Sequence, residues 1–268
     1  MSFLPFRIAS KNAGALWLLA CFVAGIPVTV PAADLRAAVE RVKPSVVAIG
    51  SYVPARSPAV VFGGTGWVTG DGLSVITNAH VIPEPGQPGG SDHWGIMQAD
   101  GDRVRFRQLT LIARDGQHDL AHLRLTGAPL PALVLADSSQ AREGQELGFT
   151  GFPMGLVRAL GPATHHATLA AITTLNPAAL TARQRDTLGL QQPSPSQQQP
   201  VTVFQLDAIA YPGNSGSPLF DAATGEVLGV VNMVLIQGAR DHAVTAPSGI
   251  AYAVPSSYVR DLLLQPRP

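Results

Sequence analysis

The chain has 268 residues and a formal net charge of zero, with 18 Lys+Arg against 18 Asp+Glu; only 13% of its residues are charged, where an average soluble protein carries about 25%. There is no basic surplus of the kind a nucleic-acid surface requires, so a nucleic-acid partner is not expected. The 27 glycines and 23 prolines suit many turns between short strands and argue against a chain of long helices.

Residues 1–33 read as a targeting segment. Arg7 and Lys11 form a basic start, residues 13–26 an apolar stretch containing Leu16-Trp17-Leu18-Leu19, and Val30-Pro31-Ala32 a small-residue exit with cleavage near Ala32 or Ala33. This predicts an exported protein, periplasmic or secreted. The alternatives are a membrane anchor through residues 13–30 and lipidation at Cys21, because Leu18-Leu19-Ala20-Cys21 is a loose lipobox. Cys21 is the only cysteine, so a chain cleaved after it has neither a disulfide nor thiol chemistry.

From residue 34 the spacing of Leu35, Val39 and Val42 predicts a short amphipathic helix, capped by Asp34 and ended by Pro44. Ser45-Val46-Val47-Ala48-Ile49 then reads as a strand. Residues 60–69 and 73–77 form a hairpin around Gly70-Asp71-Gly72, and residues 83–90 a Pro/Gly surface loop. Further strands are expected at 94–99, 103–113 and 120–125. Arg103, Arg105 and Arg107 alternate, which places them on one solvated strand face. Ala136-Asp137-Ser138-Ser139-Gln140, with Glu143-Gly144, marks a joint between two halves.

The second half opens with a strand at 145–150 and continues at 167–173. His165 and His166 are adjacent, point to opposite faces of a strand, and so make a poor metal site; His93, His122 and His242 read as incidental polar positions. Residues 176–200 contain the low-complexity run 191–200, rich in Gln, Pro and Ser, which reads as a mobile loop. Strands at 201–206, 227–236 and 249–254 and a helix at 256–264 complete the chain.

Tyr211-Pro212-Gly213-Asn214-Ser215-Gly216-Ser217-Pro218-Leu219 organises the rest. A serine between glycines can expose its hydroxyl, and the glycines permit positive φ. In such a turn the N–H groups of Gly213 and Ser215 can converge on a developing oxyanion. An ordinary Gly/Ser/Pro turn is the plainer reading of these residues alone. A serine nucleophile needs a base and an orienting carboxylate. His80 follows the β-branched run Val75-Ile76-Thr77, and Asp119 opens the strand Leu120-Ala121-His122-Leu123. The order His80, Asp119, Ser215 is that of chymotrypsin-type hydrolases.

Three blocks resemble the trypsin-like serine peptidases of the HtrA (Deg) family. Thr77-Asn78-Ala79-His80-Val81 is similar to its histidine block, Asp119-Leu120-Ala121 to its aspartate block, and 212–219 to its serine block, with Ser217 in place of a glycine. Asp207 and Gly249-Ile250-Ala251-Tyr252-Ala253-Val254-Pro255-Ser256 match further positions, and the likeness runs from about residue 40 to residue 260. The resemblance implies an all-β chymotrypsin/trypsin-like fold of two antiparallel six-stranded barrels, with a short N-terminal and a C-terminal helix. Residues 34–140 would form the first barrel and 141–268 the second.

The implied function is a serine endopeptidase acting on polypeptides, including exported or misfolded proteins, through His80, Asp119 and Ser215. Gly213, Asn214 and Ser215 would form the oxyanion hole, and Ile209, Asn232, Met233 and Val234 the substrate pocket. Ile209 at its base favours small or medium aliphatic side chains. No metal and no organic cofactor is implied. The PDZ domain usual in the family is not expected within these residues, and the oligomeric state is open. A catalytically silent, peptide-binding or chaperone-like relative of the same fold is the alternative function.

Overall fold

The computed structural model describes residues 35–57, 59–83, 93–100, 103–153, 161–176, 199–232 and 249–265. Residues 1–33, read above as a targeting segment, residues 84–90 of the Pro/Gly loop, residues 177–198 of the Gln-rich loop, and Met233, Val234 and His242 lie outside them.

Helix α1 (Leu35–Val42) comes first, and Lys43–Ser45 tighten it into a single 3₁₀ turn that contains Pro44. Six strands follow: β1 (Val46–Tyr52), β2 (Val60–Thr69), β3 (Ser74–Asn78), β4 (His93–Asp100), β5 (Arg103–Asp115) and β6 (Leu120–Leu125). They close into a barrel in the order β1-β2-β3-β6-β5-β4. The second set is β7 (Glu146–Gly151), β8 (Ala163–Leu175), β9 (Val201–Asp207), β10 (Pro218–Asp221), β11 (Val227–Val231) and β12 (Ile250–Pro255), closed in the order β10-β11-β12-β9-β8-β7. Helix α2 (Ser256–Leu263) ends the described chain. All strand pairs are antiparallel. Closure leaves neither sheet with a free edge.

Each barrel is filled by the inward half of its alternating strands. Val47, Ile49, Val68, Val75, Ile96 and Leu123 pack in the first; Leu147, Phe149, Leu169, Phe204, Leu206 and Val231 pack in the second. A third apolar cluster joins the two, with Trp67 and Ile76 from the first barrel against Phe220, Val230 and Val254 from the second. Apolar burial on both sides of this seam, at about 25 cal/mol per Å² removed from water, holds the barrels as one body.

Both helices reach across the seam. Although α1 precedes β1, Arg41 donates to Ala223 O at 3.0 Å and Leu35 lies against Gly148, both in the second barrel. In turn, α2 follows β12 but stacks Tyr258 on His118 of the first barrel, with ring centroids 3.7 Å apart. Hydrophobic spacing foretells the helices but carries no information about which barrel receives them.

Strands β8 and β10 depart most from the sequence reading. Strand β8 begins at Ala163, so both adjacent histidines lie within it. His165 stacks on Phe149 with centroids 4.8 Å apart, while His166 reaches the opposite side and pairs with Glu146. Strand β10 is four residues long, too short to show an alternation. Of the alternating arginines, Arg105 is exposed and Arg107 turns back to the carbonyls of Thr126 and Ala128.

Candidate active site

Strand β3 ends at buried Asn78, and Ala79–Val81 coil into one 3₁₀ turn that lifts His80 off the sheet. Arg114 braces this turn from both sides, donating to Ala79 O at 3.0 Å and to Ile82 O. The histidine is therefore held by backbone contacts that the sequence motif did not indicate.

Asp119 takes φ = 53°, the only non-glycine residue with positive φ among the described residues. Aspartate tolerates this region better than most residues because its short polar side chain bonds locally. Its carbonyl accepts from Ala79 N–H and from Asn78 Nδ2, each at 3.0 Å. Its Oδ1 accepts the His80 N–H at 2.9 Å, and Oδ2 lies 2.6 Å from His80 Nδ1. A carboxylate facing Nδ1 selects the tautomer protonated there, which leaves Nε2 as the base. Asn232, from the second barrel, donates Nδ2–H to the same Oδ2 at 2.9 Å. The sequence assigned Asn232 to the pocket wall; its side chain instead turns inward and is buried against Asp119.

Asp115, the neighbouring carboxylate, is occupied elsewhere. Its Oδ2 lies 2.5 Å from His118 Nδ1, and its Oδ1 accepts the N–H groups of Gln117 and His118. Burial pushes its pKa up, but the hydrogen bonds from His118 and Gln117 outweigh this and hold it below the ordinary value.

The serine turn sits between β9 and β10. Gly213 and Gly216 have φ of 100° and 86°, accessible to glycine without cost. Every neighbouring amide is engaged: Asn214 N–H bonds Tyr211 O, Gly216 N–H bonds Val231 O, and Ser217 N–H bonds Asn214 O. Among the described residues the N–H groups of Gly213 and Ser215 alone in residues 213–217 have no acceptor. Asn214, expected as part of the hole, has its N–H engaged by Tyr211 O at 2.9 Å. Ser215 is 7% exposed. No hydrogen bond joins its hydroxyl to His80 among the described residues; such contacts are often long without substrate.

Polar side chains crowd Gly151 next to the turn. A Cβ on Gly151 would fall 2.0 Å from Ser217 Oγ and 2.9 Å from both Asn214 Oδ1 and Thr65 Oγ1. Thr65 is the residue sequence reasoning missed. Its hydroxyl donates to Gly213 O at 2.7 Å and accepts from Phe152 N–H at 3.0 Å, and its N–H donates to Ser215 O at 2.9 Å. The Gly64-Thr65-Gly66 run marks the position, but its purpose is not visible without the fold. Ile209 is 40% exposed, flanked by buried Ala208 and Ala210. Among the described residues no three of His, Cys, Asp and Glu gather as a metal site would require.

Twin six-stranded barrels, a His–Asp pair from the first and a glycine-flanked serine turn from the second define the chymotrypsin-like class. A family model, the trypsin-like peptidase domain, matches residues 64–230. The chain belongs to that family, and HtrA/DegP relatives match it over most of its length. The mitochondrial serine protease HTRA2 of Bos taurus is 30% identical over 256 residues, covering 90% of this chain and 45% of the relative. A probable periplasmic serine endoprotease, DegP-like, of Halomonas elongata is 27% identical over 204 residues, covering 76% and 35%. The chain thus spans less than half the length of these two relatives. Among solved structures, the Rv3671c protease of M. tuberculosis in its active form has a TM-score of 0.60 at 28% identity, covering 86% of each chain. The HtrA-type protease AlgW with a decapeptide has the same TM-score at 22% identity, covering 86% of this chain and 66% of that one, which shows shared fold.

Proposed function

We propose that this chain is a serine endopeptidase in which His80, Asp119 and Ser215 form the triad. The observation that carries the reading is the 2.6 Å contact of His80 Nδ1 with Asp119 Oδ2, on the chain whose serine turn leaves two N–H groups open. Ser215 Oγ attacks the scissile carbonyl while His80 Nε2 takes its proton. Asp119 keeps the imidazole in that tautomer and stabilises the imidazolium. The Gly213 and Ser215 N–H groups receive the negative charge that forms on the carbonyl oxygen. His80 then protonates the leaving amine, giving an acyl-enzyme that water hydrolyses.

The substrates are extended polypeptides, with exported or misfolded proteins as the proposed class and an aliphatic residue before the cut. The basic, apolar and small-residue pattern of residues 1–33 supports export to the periplasm or beyond. Labelling of the purified protein by a fluorophosphonate, mapped by mass spectrometry, tests the assignment. Modification of Ser215 with hydrolysis of casein is expected; an unlabelled Ser215 in folded protein that leaves casein intact overturns it and favours a peptide-binding relative.

A further inference from the structure

We infer that Thr65 is a positioning residue for the oxyanion site, holding from the first barrel the turn that carries the nucleophile on the second. The inference deepens the peptidase reading and rests on it. Thr65 is fully buried in β2 and makes two contacts to one turn, 148 and more residues away: its hydroxyl donates to Gly213 O, and its N–H donates to Ser215 O. These carbonyls belong to the two peptide units that directly follow the two open N–H groups.

The direction of the hydroxyl proton is forced. Thr65 Oγ1 accepts the Phe152 N–H at 3.0 Å, so its single proton is available for Gly213 O at 2.7 Å. Thr77 Oγ1 donates to Thr65 O at 2.7 Å and fixes the strand that presents it. The Gly213–Asn214 peptide is thus held at both ends, its carbonyl by Thr65 and its N–H by Tyr211 O. Such a hold matters because Gly213 and Gly216 have wide backbone freedom. Released, the peptides around Gly213 rotate at little cost, and the N–H that should face the oxyanion turns away.

Thr65→Val keeps the shape and removes the hydroxyl; Thr65→Ser keeps the hydroxyl. Thr69→Val is the matched control, because Thr69 is also buried on β2 and donates to a carbonyl, Leu133 O at 2.9 Å, away from the serine turn. The four proteins, wild type included, are compared for kcat and KM on a valine p-nitroanilide peptide, for affinity to a peptide boronate, and for urea unfolding. Loss of an oxyanion donor costs about 10²–10³ in kcat; for loosening one, Thr65→Val is expected to lose about 10- to 100-fold in kcat, with KM changed less than about threefold. Boronate affinity should fall in parallel, Thr65→Ser should recover most of both, and Thr69→Val should lose stability without the kcat loss. With wild-type Ser215 labelled by the fluorophosphonate, wild-type kcat in Thr65→Val, an equal kcat loss in Thr69→Val, or no recovery in Thr65→Ser overturns the positioning role alone. A wild type that is folded but unlabelled overturns the peptidase reading itself.

Discussion

Asn232 of the second barrel donates its Nδ2–H to Asp119 Oδ2 of the first at 2.9 Å, across 113 residues of sequence. The same oxygen faces His80 Nδ1 at 2.6 Å. The Asp119 carboxylate is therefore held from both barrels, and its alignment depends on the seam between them. A hydrogen bond to a charged group is worth about 1.5–3 kcal/mol. Asn232→Ala should lower kcat by about tenfold, a free-energy loss at or below the lower end of that range, with KM little changed. Steady-state kinetics on a peptide substrate will check it.

Ser215→Ala removes the proposed nucleophile, and a loss on the order of 10⁶ in kcat is expected, as in other triads. Asp119→Asn retains the shape but favours the wrong His80 tautomer, at a cost of about 10⁴. Asp115→Asn should leave kcat within about threefold, because Asp115 binds His118 and not His80. Casein hydrolysis by the three purified variants separates these outcomes.

Gly151 and Ser217 share one space, since a Cβ at 151 would lie 2.0 Å from Ser217 Oγ. Gly151→Ala should destabilise the fold by about 1–3 kcal/mol through overpacking. Adding Ser217→Gly frees that space, so the double variant should recover part of the loss and show non-additivity in a double-mutant cycle. Urea denaturation midpoints measure it.

His165 is stacked on Phe149, its Nε2 is buried without a hydrogen-bond partner among the described residues, and burial lowers its pKa from 6.5. A base whose folded value is depressed contributes stability above its unfolded value, and loses it as pH falls through the folded one. Stability should therefore decline as pH falls below about 6.5, while the unfolded chain takes up a proton that the folded one resists. His165→Phe should flatten this part of the profile. Chemical denaturation at several pH values between 7 and 5 is the measurement; an unchanged slope would show that His165 takes no part.

Ile209 stands where the pocket base is expected and is 40% exposed. An apolar base offers no counter-charge, so a buried Lys or Arg side chain of the substrate would go unpaired, which is costly. Cleavage after Ala and Val is expected, with modest discrimination between them, because one methylene is worth only about 1–3 kcal/mol. A peptide library read by mass spectrometry checks it; dominant cleavage after Arg, Lys or Glu is the contrary result.

Much of the architecture is local information and so was legible in the chain. An apolar β-branched run marked β1, alternation marked β6, Gly70-Asp71-Gly72 marked the hairpin between β2 and β3, and Leu35, Val39 and Val42 marked α1, because side-chain period and turn chemistry act over a few neighbouring residues. The three motif blocks likewise named His80, Asp119 and Ser215 in order. What the tertiary structure decided involves residues far apart: Thr65 against Gly213, Asn232 against Asp119, and helices α1 and α2 each reaching the other barrel. The physical reason is that these contacts satisfy buried polar groups only after two separately closed barrels meet. No periodicity or spacing in a single stretch carries the position of the partner, so the threonine looked like any other residue in a strand and the asparagine like a residue of the pocket wall.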